Sequence, residues 1–199
     1  VYERNWKTNF EKIDGPTDLE PRAVLIVNPN NPTGNFMRQT GLGEINMLCR
    51  ARGMALISDE VFFDFALEEA PKDRVSAASN IATLTFTLGG ISKMLGLPQM
   101  KLSWIAVTGP DAVRTQAIEK LEIIADTYLS AGTPAQNAFP EWLRFKEKIQ
   151  TEILTRLTAN YNFLLASFAS SGFARVLKTE GGWNAVLELP SSLTDEEWA

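Results

Sequence analysis

The chain has 199 residues and a formal net charge of -5, with 45% hydrophobic, 10% aromatic and 22% charged residues. That length suffices for one domain with a full core, or one domain plus part of another. The acidic balance, without any basic run, argues against a nucleic-acid partner or an anionic membrane surface. The absence of histidine rules out Ser-His-Asp and Cys-His catalysis within the chain, together with the usual His-containing zinc sites, so no metal centre is expected. A single cysteine, Cys49, excludes an internal disulfide and fits a reducing, cytoplasmic compartment. No apolar run approaches the length of a membrane span. Val1 to Trp6 lack the basic start and apolar stretch of a signal peptide, and without an initiating Met the text reads as opening in mid-pattern.

Four short apolar runs are expected to be buried strands: 23–27, 54–57, 83–88 and 102–107. The first two lack strict polar alternation, which suits a sheet covered on both faces. Between them Leu42, Ile45, Leu48 and Cys49 recur at helical spacing, and Gly53 marks the helix end. A strand, a helix and a strand of these lengths imply a crossover connection and a parallel pair. Cys49 falls on the apolar face and is expected to be a buried structural thiol.

Further on, Gly109-Pro110 precedes a predicted helix over 111–129, with Asp111 complementing its dipole. Thr133-Pro134-Ala135-Gln136 has the pattern of an N-cap, a first-turn proline and a capping-box glutamine. A long helix is predicted from about Pro140 to Ser171, with Ile149, Ile153, Leu157, Tyr161, Leu164, Leu165 and Phe168 on one face and Gly172 ending it. The segment from Gly181 to Leu189 reads as a turn and a strand. The change from alternating strands and helices to helices with a late strand divides the chain near residue 130.

Three segments lie at or just past predicted strand ends, where ligands of open α/β sheets gather. Asn28-Pro29-Asn30-Asn31-Pro32-Thr33-Gly34 is a turn-rich loop by composition. Ser58-Asp59-Glu60-Val61-Phe62 ends the second strand, where a carboxylate can cap the next turn or serve a ligand. Ser92-Lys93-Met94-Leu95-Gly96-Leu97-Pro98 follows an apolar strand and Gly89-Gly90. An isolated Ser-Lys pair says little, and most lysines are solvated.

Taken together, these segments resemble the fold-type I pyridoxal-phosphate-dependent aminotransferases of the class I/II family, in order and spacing and across nearly the whole chain. The resemblance implies an α/β fold: a three-layer large domain with a mainly parallel sheet over residues 1–130. An interdomain helix and part of a small α+β domain would occupy residues 131–199. It implies pyridoxal 5'-phosphate as cofactor, held covalently by Lys93 as the Schiff-base lysine. Asn31 would bond the phenolic oxygen, Asp59 the pyridine nitrogen, and Ser92 and Lys101 the phosphate. An amino group would pass between an amino acid and a keto acid, in a homodimer. Glu60, one residue beyond Asp59, is expected to point elsewhere.

The chain departs from the family pattern in several places. Lys101 stands where many members carry Arg, giving a point charge in place of a planar fork. Phe62 stands where many have a Tyr whose hydroxyl reaches the phenolic oxygen, and Gly90 where many have a phosphate-binding Ser. The family's phosphate loop, ring-stacking aromatic and substrate-carboxylate arginine have no counterpart here. The text therefore reads as a fragment lacking both ends, with Arg156 and Arg175 expected to be ordinary solvated residues. Two other activities remain open on the same residues: a β-eliminating lyase and a non-catalytic, aminotransferase-like regulatory domain.

Overall fold

The computed structural model describes Trp6 and residues 20–67, 70–128 and 130–198. The element order is β1 (Ala23–Val27), α1 (Gln39–Arg52), β2 (Ala55–Asp59), β3 (Thr85–Gly90), α2 (Ile91–Met94), β4 (Ser103–Thr108), α3 (Asp111–Thr127), α4 (Thr133–Leu143), α5 (Lys146–Phe168), β5 (Arg175–Val176), β6 (Leu187–Glu188) and α6 (Asp195–Trp198). The four predicted strands form one sheet in the order β1-β2-β3-β4. β1 and β2 are parallel, as are β2 and β3, while β4 returns antiparallel along β3.

The register places three strand exits side by side. Val27 pairs with Asp59, Asp59 with Leu88, and Gly90 with Ser103. The carboxyl ends of β1, β2 and β3 and the amino end of β4 therefore share one edge.

α1 forms because its apolar residues recur along one stripe, and that stripe packs on the sheet. Leu42, Ile45 and Cys49 join Met54, Leu56 and Ala77 in one buried cluster. Gly53 ends the helix in the left-handed conformation, as predicted. A polar seam lies beside this cluster. Asn80 Nδ2 donates to Asn46 Oδ1 (2.9 Å) and Thr85 Oγ1 (2.9 Å), and Thr83 Oγ1 donates to Asn46 Oδ1 (2.7 Å). These bonds tie α1 to the start of β3 and satisfy groups that would otherwise be buried without partners.

A second apolar cluster supports the short helix that bears Lys93. Ile91, Leu95 and Leu102 are buried and pack against Ala135, Phe139, Trp142 and Ile149 from α4 and α5. Gln150 Nε2 donates to Met94 O (3.3 Å), at the end of the same short helix.

The helical half differs from expectation in several respects. The predicted helix from Pro140 to Ser171 is two: α4 contains Pro140 and stops at Leu143, and α5 begins at Lys146. Pro140 cannot donate to the preceding turn, and the chain tightens to Arg144 N–H to Glu141 O (3.2 Å) and Phe145 N–H to Trp142 O (3.0 Å). The predicted stripe on α5 is partly covered, but Leu165 is exposed. Thr133 is not the cap: Gly132 occupies that position, and Gln136 Nε2 reaches Ala131 O (2.8 Å). The predicted late strand shrinks to Leu187–Glu188 because its partner, β5, has only two residues. The helix after Pro110 ends at Thr127, and Leu129 lies outside the described residues. No helix among the described residues is long and apolar enough to cross a membrane.

Candidate cofactor site

The sequence-predicted residues lie on segments that flank the shared edge. Asn31 lies in the loop after β1, Asp59 is the last residue of β2, Ser92 and Lys93 lie in α2 after β3, and Lys101 precedes β4. Burial grades across this group: Asp59, Ser92 and Lys93 are half-buried, while Asn31 and Lys101 are exposed.

Lys93 has an aromatic surround. Its Nζ lies 5.3 Å from the Trp183 ring centroid and 5.6 Å from that of Phe62. Trp183 meets Phe62 edge-on at 5.4 Å and Phe65 at 5.2 Å. Such rings attract an ammonium through their quadrupoles and confine the lysine stem. The Trp183 indole N–H is buried without a partner among the described residues. Phe62 follows Asp59 by three residues and was visible in the sequence as a departure. Trp183 reaches the site from a distant segment and gave no such signal beyond following Gly181-Gly182.

Asp59 and Glu60 have opposite roles although adjacent. Asp59 Oδ1 accepts the Val61 N–H (3.1 Å), a local turn bond, and its second oxygen makes no bond among the described residues. Glu60 points elsewhere, as expected, and turns inward. Its Oε1 accepts from Asn28 Nδ2 (3.2 Å), Ser58 Oγ (2.9 Å) and the Ala77 N–H (2.7 Å), and its Oε2 accepts from Ser76 Oγ. Asn28, fully buried, also donates to Val75 O (2.9 Å) and accepts the Met37 N–H (2.9 Å). Glu60 and Asn28 thus lock the exits of β1 and β2 together, which holds Asp59 and the loop bearing Asn31.

A segment from the far end of the chain closes over that loop. Glu180 N–H donates to Gly34 O (3.3 Å), Gly182 N–H to Phe65 O (2.8 Å) and Leu67 N–H to Glu180 O (2.9 Å). Arg38 pairs with Glu180 at 2.6 Å, and the Phe36 N–H donates to Glu180 Oε2 (3.0 Å). Gly34 is required here: its φ is +74°, and a Cβ would stand 1.8 Å from Thr179 Oγ1. Asn184 Nδ2 then donates to Asn31 Oδ1 (2.7 Å). The Asn31 amide nitrogen donates to no described residue.

The long helix braces the site from another side. Lys146 Nζ and Gln150 Nε2 both reach Asp64 Oδ2, at 2.9 Å and 2.8 Å. Arg175 pairs with Glu188 on the surface, and Arg156 is exposed, in keeping with the expectation for both. A shallow cavity of about 160 Å³ lies nearby, lined by residues including Glu60, Asp64, Gly89, Met94 and Trp104. Asn31, Asp59 and Lys93 do not line it, so it is not where these groups converge.

The donor set fits pyridoxal phosphate. A lysine amine suits its aldehyde, a carboxylate its ring nitrogen, an amide N–H its phenolic oxygen, and a hydroxyl with a second ammonium its phosphate. The observation that bears on fit is the orientation of the Asn31 amide, whose oxygen is taken by Asn184 and whose nitrogen is left to donate.

The family model described as aminotransferase class I and II matches residues 1–197. The chain belongs to that family, whose members depend on pyridoxal phosphate. It is 29% identical over 150 residues to the glutamate-pyruvate aminotransferase AlaA of Haemophilus influenzae, covering 75% of this chain and 37% of that protein. It is 30% identical over 148 residues to the S-alkyl-thiohydroximate lyase SUR1 of Arabidopsis thaliana, covering 73% of this chain and 32% of that one. Among solved structures, the alanine aminotransferase of Pyrococcus furiosus superposes with a TM-score of 0.84 at 21% identity, over 98% of this chain and 49% of that one. The chain therefore spans about a third of the length of these curated relatives and about half of the solved chain. The fold is α/β with a mainly parallel sheet, of the aspartate-aminotransferase type.

Proposed function

We propose that this protein serves as a pyridoxal-phosphate-dependent aminotransferase that moves an amino group between an amino acid and a keto acid, with Lys93 as the covalent cofactor lysine. The observation that carries the reading is the convergence of Asn31, Asp59, Lys93 and Lys101 at one sheet edge in a chain of this family.

When bound, the cofactor supplies an aldehyde for the amino group and a pyridine ring that withdraws electrons from the substrate's α-carbon. The chain's own residues do the rest. Asp59, by its negative charge, keeps a proton on the ring nitrogen. Asn31 donates its amide N–H to the phenolic oxygen. Ser92 and Lys101 bind the phosphate, Lys101 as a point charge. Lys93 Nζ, when not bonded to the cofactor, would take the proton from the substrate's α-carbon and hand it back two bonds away, across the substrate nitrogen. Phe62 and Trp183 flank that amine with two rings. The large unit would comprise residues 1–130 and the small one 131–199, in a cytoplasmic homodimer.

The test is covalent trapping. The purified chain, incubated with pyridoxal phosphate and reduced with borohydride, should carry the cofactor mass on the peptide containing Lys93. Lys93→Ala should abolish it. Trapping that survives this substitution, or that maps to another lysine, overturns the assignment. The similarity to SUR1 keeps a lyase in view as the second reading. Release of a keto acid and ammonia from the amino acid substrate without an acceptor keto acid would favour it.

A further inference from the structure

We infer that Asn184 is a positioning residue that sets which way the Asn31 amide faces, so that a residue near the far end of the chain tunes the cofactor contact made after β1. The inference rests on the cofactor reading above.

A primary amide is nearly symmetric in shape, so packing hardly distinguishes its oxygen from its nitrogen; hydrogen bonds do. Asn31 is exposed, so its neighbours cannot fix its orientation by crowding. The one described side chain that bonds it is Asn184, whose Nδ2 donates to Asn31 Oδ1 at 2.7 Å. With the oxygen thus occupied, the Asn31 N–H donor is directed to whatever lies beyond. That is the polarity a phenolic oxygen needs, because only a donor stabilises its negative charge.

Asn184 is itself held in place. Two residues earlier, Gly182 N–H is bonded to Phe65 O (2.8 Å), and Gly181 forms a bridge with Ala66. The intervening Trp183 packs on Phe62 and Phe65. Glu180 is tied to Gly34, Phe36 and Arg38. The segment therefore approaches Asn31 from a base sewn to the sheet edge and not from a loose end.

Two variants of the full chain separate orientation from mere shape. Asn184→Leu removes the donor. Asn184→Asp keeps the shape but offers only acceptors, so it draws the Asn31 N–H toward itself and turns the Asn31 oxygen toward the cofactor. Cofactor affinity, followed by fluorescence titration, should weaken about tenfold in Asn184→Leu, the size of one neutral hydrogen bond. It should weaken further in Asn184→Asp, by about thirtyfold or more. The pH midpoint of the bound cofactor's visible absorption change should rise in both, and most in Asp, because the donor to the phenolic oxygen is lost.

A role in shape alone predicts that Asp is milder than Leu and that the absorption midpoint stays put; either result overturns the inference. Wild-type chain that takes up no cofactor overturns the aminotransferase reading and this inference with it. Uptake by wild type with unchanged affinity and spectrum in both variants overturns the inference alone.

Discussion

Removing the Glu60 carboxylate should destabilise the protein more than an ordinary surface substitution, because the group is a hub and not a charge facing water. Glu60→Ala deletes the acceptor for the Ala77 N–H and for Ser58 Oγ, both on fully buried residues, and for Ser76 Oγ. Asn28 Nδ2 keeps its second bond, to Val75 O, and so is not orphaned. Two buried donors left without partners would cost about 1–3 kcal/mol each. Glu60 lines the shallow cavity, so water can reach part of the gap and the expected loss is about 2–4 kcal/mol. Glu60→Gln keeps an oxygen for the buried donors and turns an amide toward Ser76, whose hydroxyl can rotate to accept, so its loss should stay within about 1 kcal/mol. Urea unfolding of both variants measures this, read from midpoints at constant slope. A loss under about 1 kcal/mol for Glu60→Ala, or equal losses for the two variants, would refute the hub.

Three further outcomes follow from the structure. Gly34→Ala places a Cβ 1.8 Å from Thr179 Oγ1 and 2.6 Å from Gly181 O at a φ of +74°. Left-handed strain and the clash together should lower stability by about 2–4 kcal/mol in a denaturation series, and a change under about 0.5 kcal/mol would contradict the close approach. Burial pushes the Cys49 thiol up from its ordinary range, so iodoacetamide should label it only as fast as the protein opens. Because the folded value lies above the unfolded one, the unfolded chain ionises first as pH rises. Stability from this group is complete below the unfolded thiol's pKa and declines above it, which urea midpoints across that range would show.

Where the candidate site residues fall could be read from the text because they sit at strand ends, which apolar runs and turn residues mark, whereas their roles come from the family resemblance. Asn31, Asp59 and Lys93, nominated by the resemblance, come to one edge because the first three strands lie side by side in parallel, which the crossover length favours for the first pair. That Glu60 points away from Asp59 follows from the sequence, since adjacent residues at the end of a strand point to opposite faces; its inward bonds are set by the fold. Helix limits were read less well. Pro140, which its sequence context marks as a helix start, sits inside a helix that then stops, and the break at Arg144 and Phe145 comes where Phe139, Trp142 and Ile149 pack against α2.

What the sequence by itself determined is local: which runs are apolar, where turns must fall, and which side chains carry chemistry. Only the tertiary structure decided what comes to Asn31 and Lys93 from more than 80 residues away. Asn184 stands 153 positions from Asn31, and no periodicity or spacing links them. Trp183 reaches Lys93 for a similar reason: the Gly34 turn leaves room for Thr179, and Glu180 pairs with Arg38, which docks the segment. Such contacts depend on the sum of many weak interactions between distant parts of the chain, so they exist only once the chain has folded.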